Sequence, residues 1–303
     1  MDVFKLRVSD IHGITISRET FEHETKQQAP WYQSLDGRNE SHLAVCPACD
    51  NTISIIGLHS SDTEINEETG EIQAKKSTPA HGRHYLYKQL DGLGILDREA
   101  YENCPYSQNT KLSPTKIHSD RSRIPSKVLT LLSTDFDRVV HLLSKSIGIG
   151  ISNNQAMEMA TRYKQSEGWK YAGATVMNIP WIFGYFSRST TLMFKSISNE
   201  KIRDAVQQHY PCAKFEGKYN TLKRTTKHIN PCFCFEKHTR KTVNEHLIET
   251  IDLVLSDDDG IEFYREAIEF DPAYFANLIN KKEATYRNEV LIEFGKSHFQ
   301  VTR

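Results

Sequence analysis

Two cysteines three positions apart, Cys46 and Cys49, sit in the stretch HLAVCPACDNTISIIGLH (residues 42–59), on a turn between two apolar runs. This C-x2-C knuckle constrains the fold more than any other feature of the chain. Two thiolates on a tight turn face one ion, and a tetrahedral zinc site then needs two further ligands from elsewhere. The opening MDVFKLRVSDIHG holds no apolar signal-peptide core. A cytoplasmic protein is therefore expected, whose thiols stay reduced and whose clustered cysteines bind metal rather than each other.

The missing ligands are sought in HGRHYLYKQLDGLGILDREAYENCPY, which offers His81, His84 and Cys104. His84 with Cys104 makes a Cys3His set with Cys46 and Cys49; His81 is the reserve. DREAYEN (97–103) reads as a short helix with Asp97 as N-cap, stopped by Pro105, so it presents Cys104 rigidly. The long loop between ligands is tolerable because closure entropy grows slowly with length. A full protein shell leaves no open coordination position, which makes the zinc structural, a staple for a small subdomain with a thin core. Two other readings stand beside this one. The cysteines are two small buried side chains, or they form a redox pair. Redox pairs usually begin a helix, whereas NTISII reads as a strand.

With CPAC between two strands, residues 42–106 resemble the knuckle-bearing half of zinc-ribbon and treble-clef modules, over about a fifth of the chain. The resemblance implies a structural zinc. The segment departs from those families at the second ligand pair, which they usually supply as another C-x2-C.

A length of 303 residues suggests two domains. No apolar run reaches the ~18 residues that span a bilayer, so no membrane partner is expected. VFKLRV (3–8), ITI (14–16), HLAVC and NTISIIGLH read as strands; residues 60–80 read as an exposed loop or polar hairpin around NEETGE. In the second half, Val128, Leu131, Leu132, Phe136, Val139, Val140 and Leu143 mark one helix face. NNQAMEMATRYKQSEG, NIPWIFGYFSRSTTLMF and SNEKIRDAVQQHY read as further helices, with the middle one apolar enough to be central. HINPCFCFEK, ETIDLVL and IEFYREAIEF alternate as strands, and DPAYFANLINKKEATYRNEVLIEF restarts helix at Asp271 and Pro272. Runs of strands and runs of helices favour an α+β fold. The expected division is a zinc-stapled β-rich domain over 1–106, a polar linker over 107–123, and helices packed on a mainly antiparallel sheet over 124–303.

The net charge of −1 hides a basic block followed by an acidic one. Residues 214–241 carry eight Lys/Arg against two Glu, and 245–271 carry ten Asp/Glu against one Arg. KFEGKYNTLKRTTKHINP interleaves Lys214, Lys218, Lys223, Arg224 and Lys227 with Phe215 and Tyr219. That composition suits nucleic acid, the cations meeting phosphates and the rings meeting bases. The alternative is that the two blocks neutralise each other across a sheet or within an oligomer. Cys212, Cys232 and Cys234 with His209, His228 or His238 make a second metal site conceivable; buried cysteines in a core strand are the plainer reading. His81, Arg83 and His84 are the candidate catalytic residues for a metal-dependent nuclease-like enzyme. No phosphate-binding loop, dinucleotide fingerprint or nucleophile elbow is present. The function expected is a cytosolic zinc-binding protein that associates with nucleic acid or a protein partner without catalysis of its own. A metal-dependent enzyme on nucleic acid and a structural subunit of a larger, self-associating assembly are the alternatives.

Overall fold

The computed structural model describes residues 1–35, 37, 39–59, 63–65, 72–74, 79–107, 113, 115–225, 227–243, 246–280 and 286–300. The fold is α+β, and every strand pairing among the described residues is antiparallel. The chain divides into two compact units. One holds Met1–Lys111, Lys241–Leu247 and Pro272–Asn280; the other holds Leu112–Arg240, Ile248–Asp271 and Lys281–Arg303. Among the described residues no helix is long and apolar enough to cross a membrane.

Along the first unit the elements are β1 (Val3–Phe4), β2 (Ile14–Thr15), α1 (Arg18–Thr25), β3 (Tyr32–Ser34), β4 (Glu40–Val45), β5 (Thr52–Ile56), β6 (Thr63–Ile65), β7 (Ile72–Ala74), β8 (His81–His84) and α2 (Arg98–Glu102). The main sheet runs β3-β4-β5-β8. Leu43 pairs with Ser54 and Val45 with Thr52, so the β4–β5 hairpin closes at the CPAC turn. Ile53 pairs with His84, which lays β8 beside the knuckle. Within 60–80, β6 and β7 pair as a hairpin; their connecting residues 66–71 lie outside the described residues. VFKLRV is shorter as a strand than its pattern suggests. Only Val3–Phe4 pairs with β2, and Lys5 then bridges Val45 through two backbone hydrogen bonds of 3.0 and 2.9 Å. The helix α1 was not read in the sequence; Ser17 and Thr20 close a capping box at its start. Phe4, Phe21, Ala44, Ile53 and Ile55 form the core with Cys46, Cys49 and Cys104 embedded in it.

The second unit opens with α3 (Ile124–Ile147), α4 (Asn153–Gln165) and α5 (Ile179–Tyr185), then β9 (Thr190–Thr191), α6 (Glu200–His209), β10 (Lys214–Glu216), β11 (Thr221–Lys223), β12 (Cys232–Val243), β13 (His246–Ser256) and β14 (Glu262–Glu269). After α7 (Pro272–Asn280), which is counted with the first unit, comes α8 (Glu289–His298). All seven apolar positions read for α3 are buried, and Gly148 ends it at φ 67°, a left-handed conformation that costs glycine nothing. The sheet order is β14-β13-β12-β9. NIPWIFGYFSRSTTLMF is helical only over Ile179–Tyr185; Thr190 and Thr191 instead pair with Phe233 and Cys232 as an edge strand. The single C-terminal helix read from Asp271 is two helices, with Asn288 capping the second through a bond to the Leu291 amide. Of the linker span, residues 108–112 and 114 lie outside the described residues; Ile117 bridges Tyr171.

Candidate functional site

The knuckle is built by the hairpin and then gripped from two sides. The Cys46 amide donates to the Asn51 carbonyl at 2.8 Å, and the Asp50 amide to the Cys46 carbonyl at 3.2 Å, which closes the turn. Asp50 takes φ 64°, rare for a residue with a side chain, and its carboxylate pairs with the ammonium of Lys5. Lys5 is fully buried; its Nζ also donates to the carbonyls of Val8 and Asp10. A buried cation at this place ties the strained turn to the strand that bridges Val45. On the other side Asn51, itself buried, donates to the Asp97 carbonyl at 2.9 Å and accepts from the Asp97 amide at 2.9 Å. Asp97 caps α2 through the Ala100 amide, and Cys104 follows that helix directly. Gly94 explains how the segment comes so near. A Cβ there would lie 2.4 Å from the Thr52 nitrogen and 2.5 Å from the Asp50 carbonyl oxygen.

These supports bring Cys46, Cys49, His84 and Cys104 together, with their donor atoms all within 4.8 Å of one another. Cys46 Sγ lies 3.8 Å from Cys104 Sγ, and Cys49 Sγ lies 3.3 Å from His84 Nε2. A disulfide needs about 2.0 Å between sulfurs, so none forms. For Zn–S of ~2.3 Å and Zn–N of ~2.0 Å, a regular tetrahedron has S···S edges of about 3.8 Å and S···N edges of about 3.5 Å. These two pair distances lie within about 0.2 Å of those edges. Asn51 Nδ2 points at Cys49 Sγ from 3.4 Å, and the Tyr101 ring packs edge-on against His84 at 4.9 Å.

The three sulfurs are buried. Burial pushes the thiols of Cys49 and Cys104 well up. At Cys46 burial acts the same way, but hydrogen bonds from the other two thiols and the charge of His84 outweigh it, and this thiol falls well below its ordinary range. A dication at the centre would let all three ionise.

The other candidate residues do not join this group. His81 and His84 sit three apart on β8 and so face opposite sides of the sheet; His81 Nδ1 lies 2.9 Å from the Pro79 carbonyl, its ring beside His246. Arg83 is exposed. His84 is therefore parted from His81 and Arg83, which share the other face. Among the described residues, Cys212, Cys232 and Cys234 enter no group of donors close enough for a metal. Cys232 and Cys234 are half-buried on the outer side of β12, where Phe233 and Phe235 take the core side.

The first part of the basic block, residues 214–223, folds as the β10–β11 hairpin, and Arg224 and Lys227 follow it. Lys214 stands directly opposite Lys223, while Phe215 and Leu222 pair on the other face. Like charges facing each other across strands repel, so this pair favours an anion between them. Arg224 lies over the exposed Phe194 ring, 5.6 Å from its centre. Among the described residues none of Lys214, Lys218, Lys223, Arg224 and Lys227 has a carboxylate partner. Part of the acidic block is answered elsewhere: Arg265 binds Asp252 and Glu262, and also Glu236 of the basic block; Lys201 binds Glu266; His209 and His228 meet Asp257 and Asp258.

Compared with known proteins, the chain matches no family model, no curated protein and no solved structure.

Proposed function

We propose that this is a zinc-stapled protein that associates with nucleic acid through the β10–β11 hairpin and has no catalysis of its own. In this reading Cys46, Cys49, His84 and Cys104 hold one zinc ion. Four protein donors fill its shell and leave no position for water, so the metal braces the fold rather than activating a nucleophile. The parting of His84 from His81 and Arg83 across the sheet argues the same way, since His84 lies with the donor group.

The observation that carries the nucleic-acid part is the set of five cations without carboxylate partners among the described residues, beside an acidic block whose Asp252, Glu262 and Glu266 pair with other cations. Uncompensated cations on and just after one hairpin are what phosphate contact requires. A mobility-shift titration at increasing salt tests it. If all five cations meet phosphates, affinity falls by a hundredfold or more between ~50 and ~200 mM salt. Reversing Lys214 and Lys223 to Glu should abolish the shift while leaving bound zinc at one per chain. No binding at low salt, or binding indifferent to salt, overturns the reading.

A further inference from the structure

We infer that the ligand of the basic hairpin is single-stranded nucleic acid, gripped by stacking as well as by charge; this rests on the nucleic-acid reading above. The inference comes from two rings and the hollows they line. Phe194 is 57% exposed and Tyr219 is 67% exposed, so both rings are open to solvent. Each carries a cation at 5.6 Å from its centre, Arg224 over Phe194 and Lys218 over Tyr219. Their backbones are neighbours: the Phe194 amide donates to the Leu222 carbonyl, and Ser196 bridges Thr221. The two rings therefore root in neighbouring segments, Phe194 beside β11 and Tyr219 on the turn between β10 and β11.

Each ring also borders a recess. Phe194, Arg224, Lys227 and His228 line a hollow of about 490 Å³. Tyr219, Lys218, Lys145 and Ser196 line another of about 290 Å³. The facing Lys214 and Lys223 close the end of the hairpin away from Tyr219, next to Arg224, and offer charge with no ring. The surface thus holds two ring–cation pairs and a further lysine pair, groups that suit the bases and phosphates of an unpaired strand. A duplex keeps the faces of its bases inside the stack, so exposed rings in cationic recesses gain nothing from it; a single strand offers a π-face at every nucleotide.

The test is fluorescence anisotropy on the full chain with a labelled ~15-nucleotide mixed single strand, as DNA and as RNA, and the matching duplex, all at ~50 mM salt. Single strands should bind at least about tenfold more tightly than duplex. Phe194→Ala and Tyr219→Ala should each weaken single-strand binding by roughly five- to a hundredfold, with duplex binding and thermal midpoint unchanged. Tyr219→Trp should keep affinity and lose indole emission when an oligothymidine is added. Equal affinity for duplex, or alanine variants that bind single strands as the parent does, would sink the single-strand assignment and leave the nucleic-acid reading standing. Failure of every nucleic acid to bind would remove both.

Discussion

Replacing Cys104 by serine is the sharpest perturbation of the metal centre. Cys46 and Cys104 lie 58 residues apart in the chain, and their sulfurs are 3.8 Å apart in the fold. A cross-link through a metal removes the loop-closure entropy of that span from the unfolded chain. For a loop of this length the chain-entropy relation gives about 4 kcal/mol. Serine keeps the shape but is a poor zinc ligand, and its hydroxyl would sit among two thiols in a place with no solvent. Domains are stable by only about 5–15 kcal/mol, so the loss leaves the first unit marginal. At the sensitivity usual for a unit of this size, the melting point of that transition should fall by on the order of 15 °C. The assay is calorimetry beside colorimetric zinc release, with Cys212→Ser as the control outside the donor group. The parent and the control should each release one zinc per chain; Cys104→Ser should release less and melt early. A Cys104→Ser protein that still carries one zinc and melts with the parent would refute the staple.

Three further outcomes are expected. Asn51→Ala removes the two bonds from a buried side chain to the Asp97 backbone and the donor to Cys49 Sγ, so it should cost about 1–3 kcal/mol in urea unfolding and slow zinc uptake. Gly94→Ala drives a Cβ into the backbone of Asp50 and Thr52, which has no side-chain freedom with which to yield; zinc occupancy and melting point should both drop, against no change for a surface Ala substitution. Burial holds the His118 imidazole below its ordinary pKa, outweighing the bond to the Ala174 carbonyl. Its folded-state pKa is lowered, so the unfolded chain binds the proton more readily, and stability present above about pH 6.5 is lost as pH falls through the folded value. Urea midpoints measured from pH 7.5 down to pH 5 should decline, and His118→Gln should flatten the decline.

The donor group was legible because its signal is chemical. Few residue types bind a soft cation in a reduced chain, and Cys46, Cys49, His84 and Cys104 exhaust most of the choices between residues 42 and 106. Choosing His84 over His81 follows from strand parity once Ile53 is known to pair with His84. The supports were not legible. Lys5 meets Asp50 across 45 positions and Asn51 meets Asp97 across 46, with no period or motif linking either pair. Lys5 in VFKLRV alternates like an outward residue of a strand, yet it is fully buried because its target is the carboxylate of a left-handed turn.

Periodicity worked where one face of an element meets the core and failed where two do. The apolar stripe of α3 has a polar side to contrast with, so its extent followed from spacing. The helix α5 is apolar all round because Gly184 is wedged between Leu143 of α3 and Phe235 of β12, and an all-apolar stretch carries no sign of where the helix stops. In β12 the period of two is itself interrupted. Phe233 and Phe235 point inward, Glu236 and Lys237 are both exposed, and the φ of 51° at Lys237 resets the alternation so that His238 enters the core. There His238 stands 3.0 Å from the Tyr171 hydroxyl and 3.4 Å from Glu249. An unbroken alternation would have put His238 outside with Cys232 and Cys234. A single left-handed residue therefore decides which polar groups of the strand meet the core, and a lysine at that position gives the sequence no glycine to announce it.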